Sequence, residues 1–421
     1  MTATTPVTEE SRGTRTPAPP LRRNRAFTLL WTGSAISALG SSVSAFAYPL
    51  LVLMMTGSAS AAGLVTFLAT LPNILLQLPA GVLVDRFDRK RIMVVCDIGR
   101  ALGLGSIAVA LLLGEFSLPH IAVVAFVEGA LSVPHRLCSS AAIPNVVEEE
   151  HLTTAFARNE TRDRAAHLLG NPIGGALMGI GRGIPFLFDA LSYVVSVVSL
   201  LFIRKPFQRG RSAESERPEP RGGMFDDVKQ GVAWLFKQPF IRTTTLLVGG
   251  SNFLFQALSL AVVAKLAGSG TSPAVIGWVL SAAGIGGTAG ALLAPRFNRL
   301  LTLRALVIAA NWGWAALIPV VALVDDPVAL GAVLALIVFI GPVWNVGVDV
   351  YRLSVTPDEL QGRVSAAAVL VEFGTIPLGA LLGGYLIDQL SSDTTVLVLG
   401  GCMVVLAGLA AVSRSLRRTT S

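Results

Sequence analysis

The chain has 421 residues, of which 52% are apolar and only 14% are charged, and its mean hydropathy is +0.66. Soluble domains carry about 25% charged residues, so the low charge excludes an ordinary soluble protein and indicates a chain that crosses a membrane many times. The net charge of +7 does not predict nucleic-acid binding, because membrane proteins collect Lys and Arg on their cytoplasmic side. Three cysteines lie far apart in apolar segments and predict neither a disulfide framework nor a metal site.

Residues 1–25 are rich in Thr, Pro and Arg and contain no apolar core. They predict a disordered cytoplasmic tail rather than a cleavable signal peptide.

Twelve segments after this tail have the roughly 20 mostly apolar residues that a membrane-spanning helix needs. The first six are residues 27–55, 60–84, 92–113, 119–142, 160–181 and 184–203. The second six are residues 241–266, 273–295, 303–324, 328–351, 363–388 and 394–413. The predicted fold class is an all-α membrane protein with two six-helix bundles, at 26–204 and 240–414, followed by a short tail at 415–421.

A polar connector at 205–239 separates the predicted bundles. Its last third places Val228, Val232, Leu235 and Phe236 on one helical face, which predicts a short amphipathic helix lying along the membrane surface.

The distribution of basic residues tests this topology. With a cytoplasmic N-terminus, 29 of the 33 Lys and Arg residues fall in the tails and in the connections on the cytoplasmic side. This bias predicts an even number of spans, with both termini in the cytoplasm of a multi-pass cell-membrane protein.

The two halves also repeat short phrases. Arg86-Phe-Asp-Arg89 is echoed by Arg296-Phe-Asn-Arg299, 210 residues later, and Pro172-Ile-Gly174 by Pro377-Leu-Gly379, 205 residues later. An offset of half the chain predicts a six-plus-six internal repeat, which is typical of secondary transporters.

One phrase stands out in the connection between the second and third spans. It has a glycine, an aspartate four positions later and then a basic cluster, comprising Gly81, Asp85, Arg86, Arg89, Lys90 and Arg91. This phrase resembles the signature of the major facilitator superfamily. The resemblance covers nearly the whole chain from about residue 26 and implies a role in conformational gating, with the basic residues able to pair across the halves. Position 88 is Asp where the family pattern has Gly.

Two further sets of residues resemble parts of the same superfamily. The fifth span resembles the glycine-proline motif of antiporters, with matches at Gly170, Pro172, Gly174 and Gly175 and a departure at Asn171; close packing of small residues is the alternative interpretation. The phrases around Asp189, Gly362-Arg363 and Pro377 resemble the macrolide-efflux and enterobactin-exporter-like branch, the transmembrane secretion effectors. That resemblance implies proton-driven efflux of a small molecule such as a drug, an antibiotic or a siderophore.

Ionisable residues within predicted spans are candidates for proton coupling, because burying them is costly. Glu128 lies near the middle of the fourth span, with His135 two turns further along the same face as a candidate relay. The alternative for Glu128 is a structural pair with Arg136 or Arg100. Glu372 and Asp349 are the candidates in the second half, and Asp97 and Arg100 predict a structural ion pair at i and i+3.

The predicted substrate cavity lies between the bundles. The seventh span places Asn252, Gln256 and Ser259 on one face, and Trp344 in the tenth span is a candidate for stacking on substrate, or else for facing lipid.

The chain contains no metalloprotease, phosphate-loop or catalytic-triad pattern, so no enzymatic activity, metal or cofactor is predicted. The expected partners are a small-molecule substrate, protons and the lipid bilayer, and the expected state is a monomer. The sequence leaves open a proton-coupled uptake symporter and a non-transporting membrane receptor.

Overall fold

The computed structural model describes residues 21–208 and 224–417, and the regular elements in those ranges are all helical. In the first half the α-helices are α1 (Arg25–Thr56), α2 (Ala59–Thr70), α3 (Pro72–Leu75), α4 (Gln77–Arg86), α5 (Arg89–Leu112), α6 (Leu118–Val146), α7 (Leu152–Ile180) and α8 (Ile184–Phe202). In the second half they are α9 (Met224–Lys237), α10 (Pro239–Gly268), α11 (Pro273–Leu300), α12 (Leu303–Leu323), α13 (Pro327–Val355), α14 (Gln361–Gly374), α15 (Ile376–Leu390), α16 (Ser392–Val412) and α17 (Arg414–Arg417). The predictions for the tail at 1–20 and for most of the connector, 209–223, concern residues outside the described ranges.

Helix ends follow local sequence signals. Asn24 and Ser58 accept hydrogen bonds from amides in the first turns of α1 and α2, as N-cap side chains do. Gly57 closes α1 in the left-handed region, at φ 68°, a conformation that glycine adopts without steric cost. Asp88, the departure from the family pattern, caps α5 by accepting the Arg91 amide at 2.8 Å and has φ −64°. An aspartate therefore fits this turn without strain.

Within residues 21–208 and 224–417, ten helices are long and apolar enough to span a membrane, and the bent pair Ala59–Leu75 and Pro79–Arg86 would make an eleventh. The chain is therefore a multi-pass helical membrane protein. Helix α7 is outside that set since its first half carries a run of charged residues, from Arg158 to Arg164. The expected total of twelve spans stays a prediction.

Two predicted spans are interrupted. The second is divided among α2, α3 and α4, with a bend of 59°, and the eleventh is divided at Thr375 between α14 and α15. Prolines follow each break, at Pro72 and Pro377, where they remove a backbone donor and disfavour the preceding helical turn.

The helices pack into two groups that match the halves of the chain. Helices α1 to α8 pack mainly on one another, as do α10 to α16, and the principal contacts between the groups join α2 to α15 and α7 to α11. We call these groups the N-terminal and C-terminal bundles. Helix α9 packs on α14, where the backbone of Gly231 lies against that of Arg363.

The bundles have two distinct ends. We call the end where α1 begins the terminal face and the other end the opposite face. The start of α1 lies beside the end of α6, where Asn24 donates to the Val146 carbonyl at 2.9 Å, and the start of α10 lies beside α17 through the hydroxyls of Thr243 and Ser415. Lys205, just after α8, donates to the same Val146 carbonyl at 3.0 Å, so each bundle begins and ends its chain at the terminal face.

Candidate functional site

Arg100 on α5 is the centre of a buried group of charged residues in the N-terminal bundle. Its guanidinium lies 3.0 Å from the Glu128 carboxylate of α6 and 3.8 Å from that of Asp97. It also stacks on the ring of Tyr193 of α8, with 4.0 Å to the ring centroid. Together with His135, these residues form what we call the N-terminal cluster.

Access to solvent differs sharply across this cluster. The side chain of Glu128 is 14% exposed, whereas those of Arg100 and Asp97 are 6% and 0% exposed. The Tyr193 hydroxyl donates to Glu128 at 3.2 Å and lies 2.8 Å from the Ser41 hydroxyl. Glu128 is therefore the most exposed carboxylate of the cluster, and it is held in place by an arginine and a tyrosine.

His135 does not contact Glu128 directly in this conformation. Its Nε2 lies 3.3 Å from the Asp97 carboxylate, which joins His135 to Glu128 through Asp97 and Arg100. The two residues predicted to act together thus belong to one network, with Arg100 between them. The predicted pair of Asp97 and Arg100 is present, but the shorter contact of Arg100 is with Glu128.

A second charged group lies in the C-terminal bundle. Arg352 of α13 donates to Glu372 of α14 at 2.9 Å and to Asp349, on its own helix, at 2.7 Å. The Glu372 and Arg352 side chains are 10% and 12% exposed, whereas Asp349 is exposed. We call these three residues the C-terminal cluster. It repeats the pattern of the first cluster, with one arginine shared between two carboxylates.

The predicted cavity residues have different surroundings. Asn252 donates to the backbone carbonyl of Glu372 at 2.7 Å and so ties α10 to α14, while Gln256 is half-buried and Ser259 is exposed. Trp344 is 1% exposed and packs edge-on against Trp314. In this conformation its ring contacts another tryptophan inside the C-terminal bundle, and neither a cavity nor lipid.

The residues of the α4–α5 connection make their contacts within the N-terminal bundle. Arg89 donates to the Ala141 carbonyl at 2.8 Å, and Lys90 to the Ile203 carbonyl at 2.8 Å. Asp85 is exposed, 4.0 Å from Arg89. Gly81 has open space where a Cβ would lie, and Arg86 and Arg91 are exposed. The described contacts of this phrase thus fasten α5 to the ends of α6 and α8.

Gly362 and Arg363 lie at the start of α14, in the C-terminal bundle. Gly362 faces open space, and Arg363 donates to Gln230 of α9 at 2.9 Å. This bond joins the start of α14 to the helix of the predicted connector.

The glycines of the fifth span are sites of close helix approach. A Cβ on Gly170 would meet Ser42, and one on Gly174 would meet Phe46, so both glycines seat α7 on α1. A Cβ on Gly175 would meet the Pro273 carbonyl of α11, in the other bundle. Reciprocally, Gly277 of α11 lies against the Asn171 carbonyl, and Pro172 is buried.

A second close approach joins α2 to α15. Gly63 of α2 lies against the Ala380 carbonyl, and Gly384 of α15 lies against the Ala59 carbonyl. Beside these glycines the Asp388 carboxylate accepts hydrogen bonds from the Ala59 amide at 2.7 Å, the Ser60 amide at 2.9 Å and the Ser58 hydroxyl at 2.7 Å.

Both close approaches lie toward the opposite face, where α2 and α11 begin and α7 and α15 end. Toward the terminal face, Gly81 and Gly362 face open space and Asp85 is exposed. The structure therefore closes the opposite face more tightly than the terminal face.

Three residues of these arrangements were not predicted as site residues. Asp388, Tyr193 and Asp189 each lie in an apolar segment, and Asp189 is fully buried on α8. Asp189 belongs to a phrase that resembles exporters, which is a signal for it. Nothing in the sequence joins Asp388 to Ser60, 328 positions away.

Comparison with known proteins places this architecture in a family. The sequence profile described as "transmembrane secretion effector" matches residues 15–421. The chain belongs to the transmembrane secretion effector family. This family is a branch of the major facilitator superfamily, so the resemblance noted in the sequence is confirmed, and the chain is a membrane transporter.

Named relatives agree with this family. The multidrug efflux pump Tap of Mycolicibacterium fortuitum is 25% identical over 398 residues, which cover 92% of this chain and 96% of Tap. Macrolide efflux protein A of Streptococcus pyogenes is 24% identical over 230 residues, which cover 54% of this chain and 55% of that protein. Both of these named relatives of the protein are efflux transporters rather than enzymes.

Solved structures share the fold at low sequence identity. The nucleoside transporter NupG superposes with a TM-score of 0.73 at 14% identity, covering 92% of this chain and 98% of NupG. A bacterial homologue of the lysosomal transporter Spinster, in an inward-facing and unoccupied conformation, superposes with a TM-score of 0.67 at 15% identity, covering 94% of this chain and 98% of that one.

Proposed function

We propose that this transmembrane secretion effector exports small amphipathic compounds, of the kind that antibiotics represent, in exchange for protons. Export by the chain is supported by the efflux relatives, one named for multiple drugs and one for macrolides. Alternating access requires that the two bundles rock about a central site, and the division of the helices into two bundles fits that motion.

The proposed orientation places the terminal face, and with it the connector at 205–239, in the cytoplasm. The basic phrase of the α4–α5 connection lies at this face, as the positive-inside rule requires of cytoplasmic loops. The conformation described above is then inward-open, with its substrate space facing the cytoplasm. Cysteine labelling with a membrane-impermeant reagent at residue 215 tests the orientation, and labelling from outside the cell would contradict it.

The proton-coupled part of the proposal rests on one observation, the environment of Glu128. This carboxylate is partly exposed, in the middle of a long apolar helix, and holds a buried arginine at 3.0 Å. An ionisable group within the membrane is a candidate relay because its burial is costly without a functional reason.

The geometry supplies a simple coupling step. When Glu128 is ionised, it binds Arg100 and accepts the Tyr193 hydroxyl. When Glu128 takes up a proton, its attraction for Arg100 falls, and Arg100 can shift toward Asp97, which already lies within 3.8 Å. Because these groups belong to α5, α6 and α8, protonation changes the packing among three helices of one bundle.

The experiment is transport in proteoliposomes under an imposed pH gradient, with a panel of macrolides and other antibiotics. Glu128→Gln keeps the shape of the side chain and removes its proton exchange, so uphill transport should be lost while exchange of labelled for unlabelled substrate continues. Glu160→Gln is the control, because Glu160 is well exposed in its pair with Arg164.

The direction of movement separates export from the alternative of uptake. Accumulation of substrate in the compartment from which protons flow would support exchange, whereas movement in the same direction as protons would indicate a symporter. Unchanged uphill transport by Glu128→Gln would overturn the coupling role, and absence of transport of the whole panel would favour a receptor.

A further inference from the structure

Asp189 is a fully buried carboxyl that the coupling step above does not use. It lies on α8 one turn before Tyr193, and its side chain packs against α1 at Gly40. A Cβ at position 40 would collide with the Asp189 carboxylate and with the Ser192 hydroxyl. Glycine at this position therefore lets the carboxyl sit directly on the backbone of the neighbouring helix, away from solvent.

The charges around Asp189 do not balance. The N-terminal bundle places three carboxyls, the buried ones of Asp97 and Asp189 and the partly exposed one of Glu128, with one arginine and one histidine. If all five groups were ionised, the set would carry one net negative charge in a low-dielectric interior. A net charge there is strongly disfavoured unless a group changes its protonation state.

The cations are already assigned to the other two carboxyls. Arg100 binds Glu128, and His135 and Arg100 both lie near Asp97. Among the described residues, no Lys, Arg or His nitrogen lies within 4.0 Å of the Asp189 carboxylate. Asp189 is thus the carboxyl without a cationic partner, and its neutral form reduces the imbalance.

The polar groups beside Asp189 are hydroxyls rather than cations. Ser192 donates to it at 3.0 Å, and α1, on which the carboxyl packs at Gly40, carries the buried side chains of Ser44 and Tyr48. The Ser44 and Tyr48 hydroxyls and the second oxygen of Asp189 are all buried without a hydrogen-bond partner. Hydroxyls accept as well as donate, so they can hold a protonated carboxyl as readily as they solvate a charged one.

Asp189 is also placed to exchange with the exposed end of the cluster. Tyr193, one turn along α8 from Asp189, donates to Glu128 of α6 and stacks against Arg100 of α5. The Ser41 hydroxyl, from α1, lies within hydrogen-bond distance of Tyr193 and of Arg100. Hydroxyl groups therefore lie along the interface between the buried carboxyl and Glu128.

We propose that Asp189 is a buried proton-binding site, which holds a proton as a neutral carboxylic acid in this conformation and acts as the second proton carrier of the N-terminal bundle. The carrier role rests on the proposed function, whereas the bound proton does not. The ligand is the proton alone, and Glu128 is the group through which it reaches solvent.

Infrared spectroscopy tests the bound proton directly. The purified protein should show a carbonyl band of a protonated carboxylic acid at neutral pH, and this band should be lost in Asp189→Asn and kept in Glu128→Gln. Carbon-13 labelling of aspartate in the wild-type protein should shift the band, a measurement that needs no variant to fold. A band that neither labelling nor Asp189→Asn alters, or no band, would overturn the site.

Proton counting tests the carrier role. A macrolide or other antibiotic of the panel that the protein transports is added to detergent-solubilised protein. It should release fewer protons from Asp189→Asn than from the wild type, and fewer again from the double variant with Glu128→Gln. Equal release by wild type and Asp189→Asn would overturn the carrier role. If the wild type shows no proton-coupled transport, the proposed function fails, and the infrared band still decides whether Asp189 binds a proton.

Discussion

Asp388 of α15 accepts a hydrogen bond of 2.9 Å from the backbone amide of Ser60, so a side chain of the C-terminal bundle caps a helix of the N-terminal bundle. The same carboxylate also binds the Ala59 amide and the Ser58 hydroxyl. The first amides of a helix have no partners within it and carry a partial positive charge. This contact therefore stabilises the state in which the opposite face is closed.

Asp388→Asn should shift the protein toward the state with its opposite face open. Asparagine keeps one acceptor oxygen but lacks the second oxygen and the negative charge, and the lost hydrogen bond and helix-dipole interaction cost about 1 kcal/mol, which is roughly a fivefold change in the ratio of the two states. Spin-label distances between the first turn of α2 and the last turn of α15 would measure the shift.

Asp326→Asn is the matched control for this variant. Asp326 accepts the Ala329 amide at 2.8 Å and so caps α13 within its own bundle. Loss of its negative charge weakens only the interaction with the start of α13, so the distance between α2 and α15 should not change. Equal distance distributions in Asp388→Asn and wild type would show that the cross-bundle cap does not set the conformation.

Gly175→Ala should separate α7 from α11. The added methyl group would meet the Pro273 carbonyl, which is backbone and cannot rotate away. Gly179, one turn further along α7, faces open space, so Gly179→Ala should be neutral or slightly stabilising, since alanine favours a helix by up to about 1 kcal/mol over glycine. Disulfide cross-linking between α7 and α11 at the opposite face should slow in Gly175→Ala alone.

Glu372→Gln should destabilise the C-terminal bundle. It leaves the largely buried Arg352 with the exposed Asp349 as its remaining carboxylate, and removing one partner of a buried ion pair costs roughly 3–5 kcal/mol. Thermal unfolding in detergent would show the loss. Glu160→Gln on α7, whose pair with Arg164 is well exposed, should leave the transition unchanged because surface ion pairs contribute little.

Arg89→Ala should loosen the N-terminal bundle at its terminal face. Arg89 donates to the Ala141 carbonyl, and loss of a hydrogen bond from a charged group costs about 1–2 kcal/mol. Arg91→Ala, at an exposed position two residues later, should not lower stability. If both variants unfold at the temperature of the wild type but impair transport, the basic phrase acts in gating alone.

The positions of most helices could be predicted from the apolar runs, because hydrophobic length and helix caps are local properties of the sequence. The fourth predicted span, 119–142, lies within α6 (Leu118–Val146), which continues four residues further. The eleventh predicted span, 363–388, is one apolar run but forms two helices. Its proline permits a break in the helix, but whether the break occurs depends on packing against the neighbouring helices, which the local sequence does not show.

The partners of charged residues were harder to predict. Arg100 was one of two arginines considered for Glu128, and helical spacing could not choose between them. Arg136 instead donates to Gln77 of α4, which depends on how α4 lies across α6. For Trp344, its position within one span suggests contact with substrate or with lipid. Its ring instead contacts Trp314, which comes from another helix.

Each ion pair among the described residues joins two groups of the same bundle. Rocking of one bundle against the other consequently separates none of these pairs of described residues. A chain cut between residues 209 and 223 and produced as two fragments would retain each of these pairs within a fragment. Reassembly of the fragments would depend on glycine contacts and a helix cap, so the fraction of fragments that reassemble should change little with the salt concentration.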